Sequence, residues 1–247
     1  MRKIRLLIVV LALGLAVPAA FARTEDPSAR VTAELQDKIY HAKVFDHGTV
    51  QAAFDNGVAT LTGTVDNLGS KLDAERAARK VNGVTQVIDN IRVSADDVTP
   101  HQMLDKARHQ VVVYYAYGIF DNIALEAKGD TLVVTGQVTE PFKKADLGNI
   151  LARVRGVANL ENNLEVLPLS TFDDQLRVAL ARAIYGRTGF ELYAVQANPP
   201  IHIIVKNGNV TLEGAVGSKM DSTLAEMAAR NVGLTFSVTN NLRVDRA

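Results

Sequence analysis

The chain of 247 residues has no cysteine and no tryptophan. Without cysteine there are no disulfides, no thiol nucleophile and no thiolate metal site. Charge of one sign is also lacking, with 27 Lys+Arg against 27 Asp+Glu. Residues 31–95 carry 7 cations and 8 anions, residues 101–169 carry 7 and 8, and residues 171–247 carry 8 and 7. None of these stretches concentrates the positive charge that phosphate-backbone binding needs, which excludes nucleic acid as a partner. Catalytic signatures are missing as well: there is no G-x-S-x-G, H-E-x-x-H, P-loop or G-x-G-x-x-G. The histidines are His41, His47, His101, His109 and His202, and no two stand at the i, i+4 spacing of a metal site. The expectation is a protein with no catalytic residues, no metal and no cofactor. His202, flanked by Ile201 and Ile203, reads as a surface residue of a strand, with a ligand or pH-sensing role as the alternative. Asp173 and Asp174 read as first-turn helix carboxylates rather than as an acid–base pair.

Long apolar runs are limited to one, residues 6–17, preceded by Arg2, Lys3 and Arg5 and followed by Ala20-Phe21-Ala22. This is the pattern of a signal peptide over residues 1–22, with a retained anchor as the alternative. The run is shorter than the roughly 20 residues of a membrane span, and no cysteine follows it, which excludes a lipoprotein. Export to the periplasm is expected. Setting aside the three leading cations leaves 24 cations and 27 anions, a net charge of −3.

What the chain does have is one pattern written three times. The segments Asn56-Gly57-Val58-Ala59-Thr60-Leu61-Thr62-Gly63, Gly129-Asp130-Thr131-Leu132-Val133-Val134-Thr135-Gly136 and Asn207-Gly208-Asn209-Val210-Thr211-Leu212-Glu213-Gly214 each give a turn and a glycine-bearing strand. About 20 residues later come Gly83, Gly156 and Gly233, and each pattern closes on Asn90-Ile91, Asn163-Leu164 or Asn241-Leu242. The strand glycines lie 73 and 78 residues apart. That period exceeds the roughly 20–50 residues of a solenoid repeat and is the length of a small domain. The boundaries follow: 23–98, 99–169 and 170–247. Each domain is small and lacks disulfides, so its core alone must hold it.

The Asn-Gly pairs are hairpin turns, and period-2 alternation puts Gly63, Gly136 and Gly214 on the apolar face, where close approach of a helix is expected. Leu147, Ile150, Leu151 and Val154 form a helical stripe, as do Met220, Leu224, Met227 and Ala228, and Leu72, Ala74, Ala77, Ala78 and Val81. Gly83, Gly156 and Gly233 read as stops for these helices. A further helix precedes each hairpin, with inward faces Val31, Leu35, Ile39; Leu104, Ala107, Val111; and Leu176, Leu180, Ala183, Ile184. The fold class is α+β, with three tandem α-β-β-α-β domains, each a three-stranded sheet covered on one face by two helices.

With these residues in place, the chain resembles the BON domain family, named for osmotically induced and nodulation proteins of bacteria. Asn207 to Val216 and Ser237 to Val244 match its pattern best; the second segment departs at its turn, where asparagine is absent. One extra residue between Gly233 and Asn241, 8 positions against 7 in the other two segments, predicts a bulge there. The resemblance implies a non-enzymatic periplasmic protein of envelope maintenance or osmotic stress, binding anionic phospholipid or a membrane surface, with envelope proteins as alternative partners in an adaptor or holdase role. It also associates lipid contact with the first helix of one domain.

Two aromatic segments are candidates for that contact. One spans residues 111–120 with Tyr114, Tyr115 and Tyr117; the other contains Tyr185, Phe190 and Tyr193 beside Arg177, Arg182 and Arg187. Tyrosine rings with cations nearby suit a headgroup boundary; the alternative is that they fill the core or the space between domains.

Overall fold

The computed structural model describes residues 27–245, so the predicted signal peptide lies outside the described residues. The chain forms three sheets, each with its own buried cluster. In the first, helix α1 (Pro27–His41) leads to β1 (Gly48–Asp55), β2 (Val58–Val65), α2 (Leu68–Ala78) and β3 (Gln86–Val93). The second has α3 (Pro100–Val113), β4 (Asn122–Lys128), β5 (Thr131–Val138), α4 (Pro141–Ala152) and β6 (Asn159–Val166). The third has α5 (Thr171–Tyr185), the short α6 (Glu191–Ala194), β7 (Ile201–Lys206), β8 (Asn209–Val216), α7 (Lys219–Arg230), β9 (Ser237–Asn240) and β10 (Arg243–Val244). In each sheet the hairpin is antiparallel and the strand after the helix pairs in parallel with the hairpin's second strand. Both helices lie on one face: Leu35 and Ile39 of α1 and Ala74 and Ala78 of α2 meet Val50, Leu61 and Ile91 of the sheet.

Local chemistry sets the ends of these elements. Asn56 and Gly57, and Asn207 and Gly208, all take positive φ, as a two-residue turn matched to strand twist requires. Thr99 and Gln102 form a capping box at α3, Pro141 occupies the first turn of α4, and the Ser170 and Ser218 hydroxyls cap α5 and α7.

Four expectations are corrected. Gly63, Gly136 and Gly214 do lie in the expected strands, but no helix dictates them. They take φ of +134°, +116° and +108°, and a Cβ at Gly214 would stand 1.9 Å from the Pro200 carbonyl oxygen, with Thr49 and Asn122 in the same place at Gly63 and Gly136. The steric partner is the neighbouring strand. Gly83, Gly156 and Gly233 are not helix caps; Arg79, Arg153 and Asn231 hold those positions, and the glycines fall in left-handed turns further on. On α7 the buried face is Ser222, Ala225, Ala228 and Ala229, whereas Met220 and Met227 are 66% and 49% exposed. Leu72 of α2 likewise points outward. Small residues face the sheet because these helices pack close to it, which leaves the larger side chains on the flanks.

The fourth correction concerns the bulge. Val58 pairs with Gln86, Thr131 with Asn159 and Asn209 with Ser237, and Ala215 pairs with Arg243 beyond the gap between β9 and β10. Every one of these pairs is 28 residues apart, so the register in the third sheet runs unbroken. The extra residue after Gly233 is offset by one fewer residue between Gly214 and Gly233 than in the other two segments.

Candidate functional site

The described residues contain no group of His, Asp and Glu able to hold a metal ion, and no helix among them is long and apolar enough to cross a membrane. Attention therefore falls on surfaces, above all where the second and third sheets meet.

The predicted contact residues divide sharply. Arg177 is 5% exposed; it donates to Asp174 and, at 2.8 Å, to the Val205 carbonyl on the open edge of β7. Phe190 is buried in the third core, in edge-to-face contact with Tyr193. The Tyr185 hydroxyl donates to the Ile201 carbonyl and accepts from the Ile201 N–H at 3.1 Å. The Tyr193 hydroxyl donates to Asp221 at 2.9 Å and accepts from the Gly217 N–H at 2.8 Å. Tyr114 is buried and donates to Asp146 at 2.8 Å. These five residues are structural, and burial raises the pKa of Tyr114, Tyr185 and Tyr193 above the usual phenol range.

What remains outward is Tyr115, 82% exposed, together with Arg182 and the half-buried Arg187. Neither arginine makes an ion pair among the described residues. Aliphatic side chains of the same two segments, and Val195 just beyond, are exposed as well. Leu192 and Val195 are 79% and 78% exposed at α6, and Val112 and Val113 are 47% and 56% exposed at the end of α3. The Asn198 side chain donates to the Val112 carbonyl at 3.1 Å and so ties the loop after α6 to the end of α3. Large aliphatics on a four-residue helix inside a polar loop were the available signal.

Beside this surface the second unit docks on the third. Ile203 of β7 donates its N–H to the Ile119 carbonyl at 2.6 Å, and Phe120 packs against the third core. Tyr117 is half-buried against His202, ring centroids 5.4 Å apart, with the hydroxyl 3.3 Å from Nε2. Burial pushes the Tyr117 phenol up to about 12. His202 is thus not a surface histidine: burial lowers its pKa, opposed by the Gly118 and Asp121 carbonyls and the Asp121 and Glu213 carboxylates, and its Nδ1 is buried without a well-aligned hydrogen bond. Asp121 itself, 1% exposed, is held by Lys143 at 2.8 Å and by the N–H groups of Gly118 and Thr139 at 3.0 Å.

The first two units are joined differently. Leu68 donates its N–H to the Val157 carbonyl and Gly156 to the Asp66 carbonyl, both at 2.8 Å. Arg153–Asp73 and Arg155–Asp66 ion pairs flank them.

The described residues thus form small α+β units, each with a hairpin, a helix and a parallel third strand. The BON domain profile matches residues 27–95 and 180–246, more than half of the chain. The chain belongs to the BON domain family. No curated protein matches the sequence. Among solved structures, the chain is similar to the C-terminal domain of CdsD, a structural protein of the type III secretion system of Chlamydia trachomatis, at 18% identity, covering 86% of this chain and 98% of that one with a TM-score of 0.25. It is also similar to the periplasmic domain of the type III secretion inner-membrane protein PrgH from S. typhimurium, at 13% identity, covering 84% and 98%, with a TM-score of 0.22.

Proposed function

We propose that this BON-family chain is a non-enzymatic protein of the bacterial envelope, exported to the periplasm, that binds an anionic phospholipid surface in envelope maintenance or osmotic stress. The observation that carries this reading is the set of exposed apolar side chains Val112, Val113, Tyr115, Leu192 and Val195, on two segments tied by the Asn198–Val112 hydrogen bond, with the exposed Arg182 and half-buried Arg187 in the second of them. Aliphatic side chains can enter the headgroup boundary while the arginines meet phosphate. The signal-peptide pattern at residues 1–22 supports the location.

An adaptor role toward envelope proteins is the second reading. It is favoured by a separate patch in which Phe172 and Phe236 stack at 6.0 Å, Phe236 being 77% exposed and Leu169 85% exposed.

Sedimentation with phosphatidylglycerol vesicles tests the first reading. Wild-type protein is expected in the pellet at low salt and to be released as salt rises. At about 1 kcal/mol per cation near an anionic surface, Arg182→Ala with Arg187→Ala weakens binding by about one to two orders of magnitude. Leu192→Asp with Val195→Asp abolishes it, with circular dichroism unchanged. Wild-type protein that stays in the supernatant moves the assignment to the adaptor.

A further inference from the structure

Every sheet in this chain leaves the first strand of its hairpin as an edge, and edge strands template further pairing unless something occupies their outward N–H and C=O groups. Two of the three edges are occupied. On β1 the Gln36 amide, from α1, donates to the Val50 carbonyl at 3.0 Å and accepts from the Ala52 N–H at 3.2 Å. On β7 the Tyr185 hydroxyl takes both groups of Ile201, the Ile119 carbonyl takes the Ile203 N–H, and Arg177 takes the Val205 carbonyl.

The corresponding groups of β4 follow from the shared register. Val50, Ile123 and Ile201 each pair with a strand glycine, Gly63, Gly136 and Gly214. Ile123, Leu125 and Ala127 therefore present their N–H and C=O outward, as Val50 and Ala52 do on β1. No described side chain or backbone group takes any of them. Arg108 of α3 sits over this edge but its guanidinium is turned to Asp105 at 3.0 Å.

The bare edge is also walled in. Residues 122–125 line one side of a cleft of about 500 Å³, and His202, Glu213 and Arg243 of the third unit line the other. A volume of this size lies within the usual range for ligand sites. An extended single chain needs only the strand spacing of about 4.8 Å to pair with this edge. The cleft lining carries two cations, Arg108 and Arg243, against one acid. Arg243 makes no ion pair among the described residues, Arg108 is paired only with the exposed Asp105, and the one acid, Glu213, accepts from the Asn241 amide at 2.7 Å. Val112, 47% exposed, supplies an apolar side chain in the same cleft.

We propose that the outward edge of β4 is a strand-addition site, and that its occupant is an extended acidic polypeptide segment of alternating apolar and carboxylate residues. Main-chain hydrogen bonds to Ile123, Leu125 and Ala127 hold the added strand. Its apolar side chains face Val112, and its carboxylates face Arg243 and Arg108.

The test uses the full chain and a capped synthetic hexapeptide of alternating valine and glutamate, with no vesicles present, so that its outcome is separate from the phospholipid reading. Saturable binding is expected, with slowed amide exchange at Ile123, Leu125 and Ala127 by NMR. Two further peptides carry N-methyl groups on either all valine or all glutamate amides. One of them should bind about tenfold more weakly or worse, from the loss of backbone hydrogen bonds, and the other should not, because an added strand offers only one edge to β4. Arg243→Glu, a surface change, should weaken the glutamate peptide and strengthen its lysine counterpart. Unchanged exchange at these three amides, or equal affinity for all three peptides, overturns the proposal. So does equal weakening by both methylated peptides, which indicates contact on both edges. Protection that appears without peptide and grows with protein concentration assigns the edge to a second copy and overturns the acidic segment as occupant.

Discussion

Asp173 and Gly208 are joined by a 2.8 Å hydrogen bond in which the N–H of a hairpin turn donates to a buried carboxylate. The second carboxylate oxygen accepts from the Asn207 N–H, also at 2.8 Å. The first turn of α5 thereby grips the β7–β8 turn, and the chain is held at two points 34 and 35 residues apart in sequence. The Phe236 ring covers Gly208 from the other side, 2.7 Å from where a Cβ would stand.

Asp173→Ala orphans both turn N–H groups, one of them buried. Hydrogen bonds to a charged acceptor are worth about 1.5–3 kcal/mol each before relaxation, so a loss of about 3 kcal/mol is expected. Asp173→Asn keeps one acceptor oxygen and should lose about half as much. Urea denaturation of the three proteins, followed by circular dichroism, checks the ranking.

Gly214→Ala tests the corrected role of the strand glycines. The added methyl meets the Pro200 carbonyl oxygen at 1.9 Å and the backbone sits at φ +108°, closed to other residues at low cost. A loss of about 2 kcal/mol or more is expected. Because the obstruction is neighbouring backbone, enlarging the space under the helix by Ala225→Gly should not rescue it. Rescue would restore the helix as the steric partner.

The His202–Tyr117 contact makes the junction of the second and third units sensitive to acid. With its pKa lowered by burial, His202 stays neutral in the folded chain at pH values where the unfolded chain already takes up a proton. Its contribution is complete above the unfolded value of about 6.5 and is lost as pH falls from there toward the folded value. The protection of the Ile203 amide, which bonds to Ile119, relative to its intrinsic exchange rate should fall below about pH 6.5. In His202→Phe, which keeps a ring against Tyr117, that pH-dependent loss of protection should disappear.

Much of the architecture could be read from the chain because its signals are local. Asn56-Gly57 and Asn207-Gly208 set their own turns, alternation in β2 and β8 sorted Leu61 and Leu212 inward, and Ser170 and Pro141 marked helix starts. The misreadings arise where a distant group decides. Periodicity assigned Met220 and Met227 to the core because they are apolar, yet the face of α7 that is buried carries Ser222, Ala225, Ala228 and Ala229. Arg177 reads as a surface cation, but its guanidinium is needed by the edge of β7. Tyr185 and Tyr193 look like a membrane-facing set until their hydroxyls are seen to satisfy the Ile201 and Gly217 backbone. Of the candidate contact residues Arg182, Arg187 and Tyr115 remain outward, and the aliphatics that accompany them, Leu192 and Val195, lay in a segment with no repeat counterpart.

The two junctions have no residues in common in kind. One is made by the backbone of Leu68 and Gly156 with arginine–aspartate pairs, the other by Ile119 at a strand edge and Phe120 in a neighbouring core. The repeats are therefore not interchangeable beads. Exchanging the first and third would place Gln36 where the Ile119 carbonyl needs a free N–H. Unlike a solenoid, which lengthens by adding identical neighbours, these units meet in a fixed order, written in the few side chains that seal the edges of β1 and β7.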